Sequence, residues 1–354
     1  MSTNTINARA LWFESHRNAV LKPDEARVPG AQEIRVRALH SLVSAGSEMN
    51  MYRGEGNLPS LLLPTIAGSL PFPIKFGYQV VGRVEAAGEL SGFDVGDLVF
   101  CAHPHQDWFT MLGVFATKLP PQIDPVRAAF LGNCTVALRT LLEVPVRVGE
   151  CVAVSGLGII GRLVAHLARK TAGRLILIDR IPERRKAAAW IGADAVIDPA
   201  EVPDVVKDLS DGRGTDVFFE TSGAPPALQT AISNSGDRGW IVVPAWYGTR
   251  PVNLSLSPEF HLRALNIKSV YIMNVGGDEA ARWSPARRTS TVLEILNQID
   301  PHALVSQRIP FDRAAEAYRL LDEKPAETLG GFCFGGEMSA VILWELRRAA
   351  ADCV

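Results

Sequence analysis

The segment VAVSGLGIIGRLVAHLARKTAGRLILID, residues 152–179, constrains this chain more than any other. CVAVSG and RLILID are short apolar runs of the kind that form buried strands. IIGRLVAHLARKTA, between them, repeats apolar residues at helical spacing. Gly156-x-Gly158-x-x-Gly161 sits where the first strand would turn into the helix, and Asp179 ends the second strand. A glycine triplet alone is weak evidence, but in this strand–turn–helix–strand context it is a dinucleotide-binding fingerprint. Gly156 permits the tight turn. Gly158 carries no side chain, so a pyrophosphate can approach the backbone, and Gly161 allows close helix–sheet packing. The helix N-terminus offers free N–H groups and the positive end of its dipole to the phosphates. Asp179 is suited to accept both hydroxyls of the adenosine ribose. Its charge opposes the 2′-phosphate of NADP, which favours NAD, although Arg180, Arg184 and Arg185 follow closely and could offset it.

The rest of the chain divides on either side of this motif. Before residue 125 the pattern is of short strands, such as EIRVRAL, YQVVGRVEAAG and GDLVFCA, separated by dense Pro and Gly. That punctuation predicts an antiparallel, barrel-like domain. DPVRAAFLGNCTVALRTLLE, 124–143, has helical spacing throughout. From residue 151 strands alternate with helices: after the fingerprint come ERRKAAAWIGA as a helix, then DAVID, DVFFET, GWIVVPA and LNIKSVYIM as strands. Such alternation predicts a parallel, doubly wound α/β sheet with right-handed crossovers. TVLEILNQID, ALVSQRIP, DRAAEAYRLLDE and GGFCFGG then read as helix, strand, helix, strand, and residues 336–354 as an amphipathic helical tail.

Composition excludes several classes. With 354 residues, 47% apolar and 21% charged, the chain can bury about two ordinary cores. The net charge is −2 and no like-charged block reaches five residues, so neither nucleic acid nor an anionic membrane is expected as partner. No apolar run approaches the ~20 residues of a membrane span. The N-terminus lacks a basic region followed by an apolar run, so no secretory signal is expected. Five cysteines without a Cys-x-x-Cys pair do not make a disulfide scaffold, and a cytoplasmic location is the expectation.

Taken together, the pieces resemble the medium-chain dehydrogenase/reductase superfamily in its alcohol-dehydrogenase-like branch. They run in the family's order over residues 8–335: Ser47 and Glu48 in SAGSEMNMYRGE, FGYQVVGRVEAAG, GDLVF, the fingerprint, IGADAVID, DVFFETSG and PFDRAAEAYRLLDE. The resemblance implies a GroES-like catalytic domain over 1–125 with 300–335 returning to it. It also implies a Rossmann domain over 126–299, and a homodimer or homotetramer. The implied cofactor-binding set is Gly156, Leu157, Gly158, Ile159, Ile160, Gly161, Asp179, Arg180, Ser222, Pro244 and Ala245.

The departures from the family concern metal. Where its zinc enzymes place a ligand Cys this chain has Ala45, and where they place a ligand His it has Tyr78, followed by Gln79. The third ligand falls at Asn133 or Cys134, the relay His at Asn50, and the four-Cys zinc lobe is missing. Ala cannot coordinate, and neutral Tyr and Asn are poor zinc ligands. A zinc-free member is therefore expected. A narrower likeness, in SAGSE and FGYQ, is to the bacteriochlorophyllide hydroxyethyl dehydrogenases.

Hydride transfer without zinc needs a positioned donor or base. The candidates are Tyr78 as proton donor, Glu48 as an acid beside it, Ser47 as the hydroxyl that bonds the substrate, and Asn133 as an orienting group. His103 and His105 in HPHQDWF read as a packed turn, and His40 and His261 as structural. Trp246 and Tyr247 are expected to form an apolar wall, with Trp108, Phe109 and Met111 as further cleft residues. The expected activity is NAD-dependent oxidoreduction of a hydroxyl or carbonyl in a small molecule. Reduction of an activated C=C bond, as in zinc-free quinone-type reductases, is one alternative, and a non-catalytic nucleotide-binding scaffold is another.

Overall fold

The computed structural model describes residues 5–56, 58, 64–271, 281–324, 328 and 331–335. The expected tail helix over 336–354 lies outside the described residues. The chain forms two compact units, one from residues up to 132 and from 296 onward, the other from 133–295.

The first unit is built on the strand Glu33–Leu42. One edge pairs antiparallel with Val80–Ala87, which leads on to Leu98–Cys101 and then Ala116–Lys118. The other edge is shared. Trp108–Leu112 pairs with residues 33–37, and the late strand Gly331–Gly335 pairs with residues 40–42. Val305–Pro310 then adds in parallel to Gly331–Gly335. A second antiparallel sheet runs Asn18–Ala26, Ile6–Ser15, Ile74–Lys75, Ala67–Gly68. Side chains alternate along each strand, so one face of the larger sheet collects Ile34, Val36, Val80, Val84, Val99, Phe109 and Met111 into a single cluster. Phe109 and Met111 are thus core, not cleft residues, because each points to the buried face of its strand. Gly82 interrupts its strand for a steric reason: a Cβ there would lie 2.5 Å from the carbonyl of Arg37 on the partner strand.

Two local readings change. SAGSEMNMY, to which no element was assigned, folds as the helix Ala45–Tyr52. The single helix expected over 124–143 is two, Pro125–Ala128 and Leu131–Glu143. Asp124 caps the first by accepting from the N–H of Val126 at 2.9 Å.

The second unit is a six-stranded, fully parallel sheet. Across it the strands are Ala195–Ile197, Arg174–Ile178, Cys151–Ser155, Thr215–Glu220, Ser235–Val243 and Asn266–Ser269. In chain order this is 3-2-1-4-5-6, the doubly wound arrangement, with its switch point between Cys151–Ser155 and Thr215–Glu220. Both faces are covered, which is why these strands are continuous apolar runs. Cys151, Ala153, Ile176, Ile178, Phe218 and Ile241 form part of the core under the crossover helices. The strand expected over 239–245 begins earlier and ends at Val243, before Pro244, which has no N–H for the ladder. The second crossover helix is shorter than expected. Pro182–Ala187 gives way to a single 3-10 turn, Ala189–Ile191, closed by Gly192 at φ +70°. Among the described residues no helix is long and apolar enough to cross a membrane.

Candidate active site

The nucleotide-binding elements lie at the C-terminal ends of the parallel strands, where an open α/β sheet receives its ligand. Gly156 leaves the first strand at φ +93°, and a Cβ there would come within 2.6 Å of Ser222. Gly161 lies so close under the turn that a Cβ would overlap the Gly156 carbonyl, at 1.7 Å. A Cβ on Gly158, by contrast, would meet nothing within 4 Å. The glycine that must admit a phosphate therefore faces open space, while the other two are packed. Gly158 precedes the helix Ile159–Ala168 and no side chain caps its first N–H groups. This cradle fits the pyrophosphate of a dinucleotide. Leu157 and Ile159 are buried, and Ile160 is partly exposed.

Asp179 is buried at the end of the second strand. One carboxylate oxygen accepts from the N–H of Leu157 at 2.7 Å, and the other from the N–H of Ile181 at 2.8 Å. The carboxylate is thereby tied to the glycine turn itself. Arg185 donates to the Asp179 carbonyl at 2.6 Å and to Asp198 at 3.1 Å, so it is committed away from the carboxylate. Arg184 lies 4.0 Å from the carboxylate, and Arg180 is exposed.

The loop after Thr215–Glu220 is organised by Glu220. One of its oxygens accepts from the N–H of Ser222 at 2.8 Å and from the Ser222 hydroxyl, while the other accepts from Tyr247 at 2.5 Å. Burial raises the Glu220 pKa in spite of these bonds, and burial with the nearby Glu220 charge raises that of Tyr247. Tyr247 is therefore pinned by its hydroxyl to a strand end and is not a bare apolar wall. The Thr221 hydroxyl reaches the Gly156 carbonyl at 2.7 Å, linking this loop to the glycine turn. Pro244 and Ala245, half-buried, follow the next strand.

The other candidate residues belong to the first unit. The Ser47 hydroxyl and the Tyr78 phenol are 2.5 Å apart. Burial and the negative charge of Glu48 push the Tyr78 pKa up to about 12, against hydrogen bonds from Ser44 and Ser47 that pull it down. Tyr78 is therefore a neutral phenol at pH 7, hydrogen-bonded to the hydroxyls of Ser44 and Ser47. Gly77, just before it, has φ +129°, and a Cβ there would sit 2.8 Å from the His105 ring. Only glycine lets the chain pass over that imidazole.

Glu48 is fully buried and both of its oxygens are engaged. One accepts from the N–H of Ser44 at 2.8 Å, reaching back over the first turn of its own helix. The other accepts from His105 Nε2 at 2.8 Å and from the phenol of Tyr318 at 2.5 Å. His105 Nδ1 lies 2.5 Å from the Ser41 hydroxyl. The sequence pointed to Glu48 but not to His105, Tyr318, Ser41 or Ser44. HPH looked like an ordinary turn, and Tyr318 lies far along the chain in a helix that reads as plain amphipathic. His103, the other histidine of the turn, stacks on Phe109 and is pushed down to about 3 by burial, so it stays neutral. Asn133, in the second unit, is buried in the helix Leu131–Glu143.

The donors do not fit a zinc ion. Ala45 has none, Tyr78 holds its proton, Asn133 offers an amide, and burial raises the Cys134 thiol to about 12. Among the described residues no group of three or more His, Cys, Asp or Glu could hold a metal.

Residues 156–288 match the family model for zinc-binding dehydrogenases. Over 333 residues the chain is 25% identical to the sorbitol dehydrogenase of Halalkalibacterium halodurans, covering 83% of this chain and 89% of that one. It is 25% identical over 335 residues to the D-guloside 3-dehydrogenase of Escherichia coli K12, covering 88% and 96%. An alcohol dehydrogenase from Escherichia coli solved with NADH superposes with a TM-score of 0.75 at 18% identity, covering 93% and 99%. With a parallel 3-2-1-4-5-6 sheet and a glycine cradle, the chain is similar to zinc-binding dehydrogenases over residues 156–288, to sorbitol and guloside dehydrogenases over most of its length, and shares the fold of the solved alcohol dehydrogenase.

Proposed function

We propose that the protein is an NAD-dependent reductase or dehydrogenase that moves hydride between the nicotinamide and a carbonyl or hydroxyl carbon, with Tyr78 doing the proton work that zinc does in metal-dependent relatives. The observation that carries this reading is the Ser47–Tyr78 hydroxyl pair, 2.5 Å apart, in the first unit. NAD, when bound, supplies or takes the hydride. The Gly156–Gly161 turn and the Ile159–Ala168 N-terminus hold its pyrophosphate, and Asp179 accepts from its ribose. In the reducing direction the carbonyl oxygen gains negative charge as hydride arrives. Ser47 bonds that oxygen, Tyr78 transfers its proton to it, and Ser44 and Ser47 stabilise the phenolate that remains. An alkoxide is more basic than the Tyr78 phenolate, even with the phenol raised to about 12, so the transfer is downhill. Glu48 serves this pair by fixing the start of the helix that carries Ser47, not by transferring a proton itself.

Two relatives named for dehydrogenation of sorbitol and of a guloside support a polyhydroxylated substrate or its keto form. The test is a screen of keto sugars and α-hydroxyketones for NADH oxidation by the metal-depleted protein. Turnover that survives chelation supports the proposal. Turnover that vanishes on chelation and returns with zinc overturns it.

A further inference from the structure

His105 is fully buried in the first unit, and its ring is held from two sides. Gly77 keeps φ +129°, and a Cβ there would lie 2.8 Å from the ring Cδ2 and 2.9 Å from Nε2. The chain thus gives up a side chain next to Tyr78 in order to seat this imidazole. Phe334 packs edge-to-face on it, with centroids 5.1 Å apart. In that orientation both ring nitrogens are committed. Nε2 lies 2.8 Å from a carboxylate oxygen of Glu48, and Nδ1 lies 2.5 Å from the Ser41 hydroxyl.

The protons on these atoms can be counted. Ser41 has one hydroxyl hydrogen and donates it to the Gln79 carbonyl at 3.1 Å. Its oxygen then only accepts, so Nδ1 is the donor in the contact with Ser41. A bare Nε2 and a bare carboxylate oxygen would repel at 2.8 Å, so a second proton lies between them. Imidazolium beside carboxylate and imidazole beside carboxylic acid have the same total charge, which is zero. Turning the Ser41 hydrogen to Nδ1 instead would leave Glu48 a buried anion with donors from Ser44, His105 and Tyr318 but no cation, the costlier state. Among the described residues Glu48 makes one ion pair, with His105. The other titratable groups around the ring bring no counter-charge. Burial keeps the phenols of Tyr318 and Tyr78 and the imidazole of His103 neutral, and Lys75, beside His103, is paired with Asp24.

We propose that His105 is a positioning residue for the proton chemistry of Tyr78: it carries a proton on Nδ1, shares another with Glu48, and so offsets the carboxylate charge that Tyr78 faces. This rests on the reading of Tyr78 as proton donor and deepens it. When the phenol gives its proton to the substrate oxygen it becomes a phenolate, and the charge of Glu48 opposes that phenolate. A second proton held on the far side of Glu48 weakens the opposition. His105 neither gives nor takes the substrate's proton. It acts through Glu48, whose other oxygen is on the Ser44 N–H at the start of the helix that carries Ser47.

Two readouts test this. In the unmodified full chain, NMR with 15N-labelled histidine is expected to show Nδ1 of His105 protonated at pH 7. His103 Nδ1 also faces a carbonyl, at 2.9 Å, and its signal is identified by its loss in His103→Gln. The His105 signal is identified by its loss in His105→Gln or, should that variant not fold, by its shift in Ser41→Ala. An unprotonated Nδ1 overturns the proposal, whatever the substrate. The second readout is the rise of alcohol oxidation with pH, which follows ionisation of Tyr78. His105→Gln keeps a donor toward Glu48 but not the extra proton, so the rise is expected to move up by about one pH unit, or about tenfold less oxidation at a given pH. In Glu48→Gln the charge to be offset is gone, so adding His105→Gln should move the rise no further. An unmoved rise in His105→Gln overturns the proposal, and so does an equal upward move with and without Glu48, as a role in packing alone would give. Near-normal turnover in Tyr78→Phe would instead overturn the reading of Tyr78, with the Nδ1 proton still in place.

Discussion

Tyr318 donates its phenolic proton to Glu48, 270 residues earlier in the chain, across 2.5 Å. The bond joins the helix Ala314–Glu323 to the helix Ala45–Tyr52, and the His105–Glu48 contact joins both to the turn at 103–107. Phe13 and Tyr52 pack around the same phenol, with ring centroids 4.9 and 5.6 Å from that of Tyr318. A carboxylate this deeply buried persists because every partner is present.

Removing one partner should therefore cost stability. Tyr318→Phe keeps the ring packing and deletes one hydrogen bond to a buried carboxylate, for a loss of about 1–3 kcal/mol. Urea unfolding with an unchanged m-value would show it, and an unchanged midpoint would mean that water replaces the phenol.

The same reasoning applied to Tyr78 concerns chemistry. Tyr78→Phe removes only the hydroxyl paired with Ser47, so turnover should fall about 10²–10³-fold. NADH binding, measured by fluorescence, should be retained, since the cofactor elements lie in the second unit. Near-normal turnover would assign Tyr78 to filling space.

Because burial and Glu48 raise the Tyr78 pKa to about 12, the phenol is the wrong protonation state for alcohol oxidation at neutral pH. Oxidation should rise with pH across the alkaline range, while carbonyl reduction stays flat. In Glu48→Gln the negative charge that raises the pKa is gone, so the alkaline rise should move to lower pH. An unmoved profile would separate Glu48 from Tyr78 electrostatically.

Metal content offers a direct check. Elemental analysis after dialysis should find no stoichiometric zinc, and chelation should leave the melting temperature unchanged. One tightly held zinc per chain would mean that Tyr78, Asn133 or Cys134 coordinates after all.

Assembly is testable through the last strand of the parallel sheet. Asn266–Ser269 pairs on one side with Ser235–Val243, and Ile267, Trp240 and Tyr271 are 40%, 38% and 50% exposed around it. Among the described residues no strand pairs with its other edge, and an edge with apolar neighbours is a pairing surface. Light scattering at micromolar concentration is expected to show a dimer or tetramer, and Ile267→Lys to shift it toward monomer.

The sequence by itself determined the nucleotide half of this protein. Gly156, Gly158, Gly161 and Asp179 lie within a single strand–turn–helix–strand unit, and local rules suffice where the interacting groups are close in sequence. Strand identity in the parallel sheet was equally legible, because strands covered on both faces are continuous apolar runs. Only the tertiary structure decided the other half. Ser41, Glu48, His105 and Tyr318 come from four separate stretches, and nothing local in HPH or in AEAYRLLDE marks a hydrogen-bond partner for a buried carboxylate.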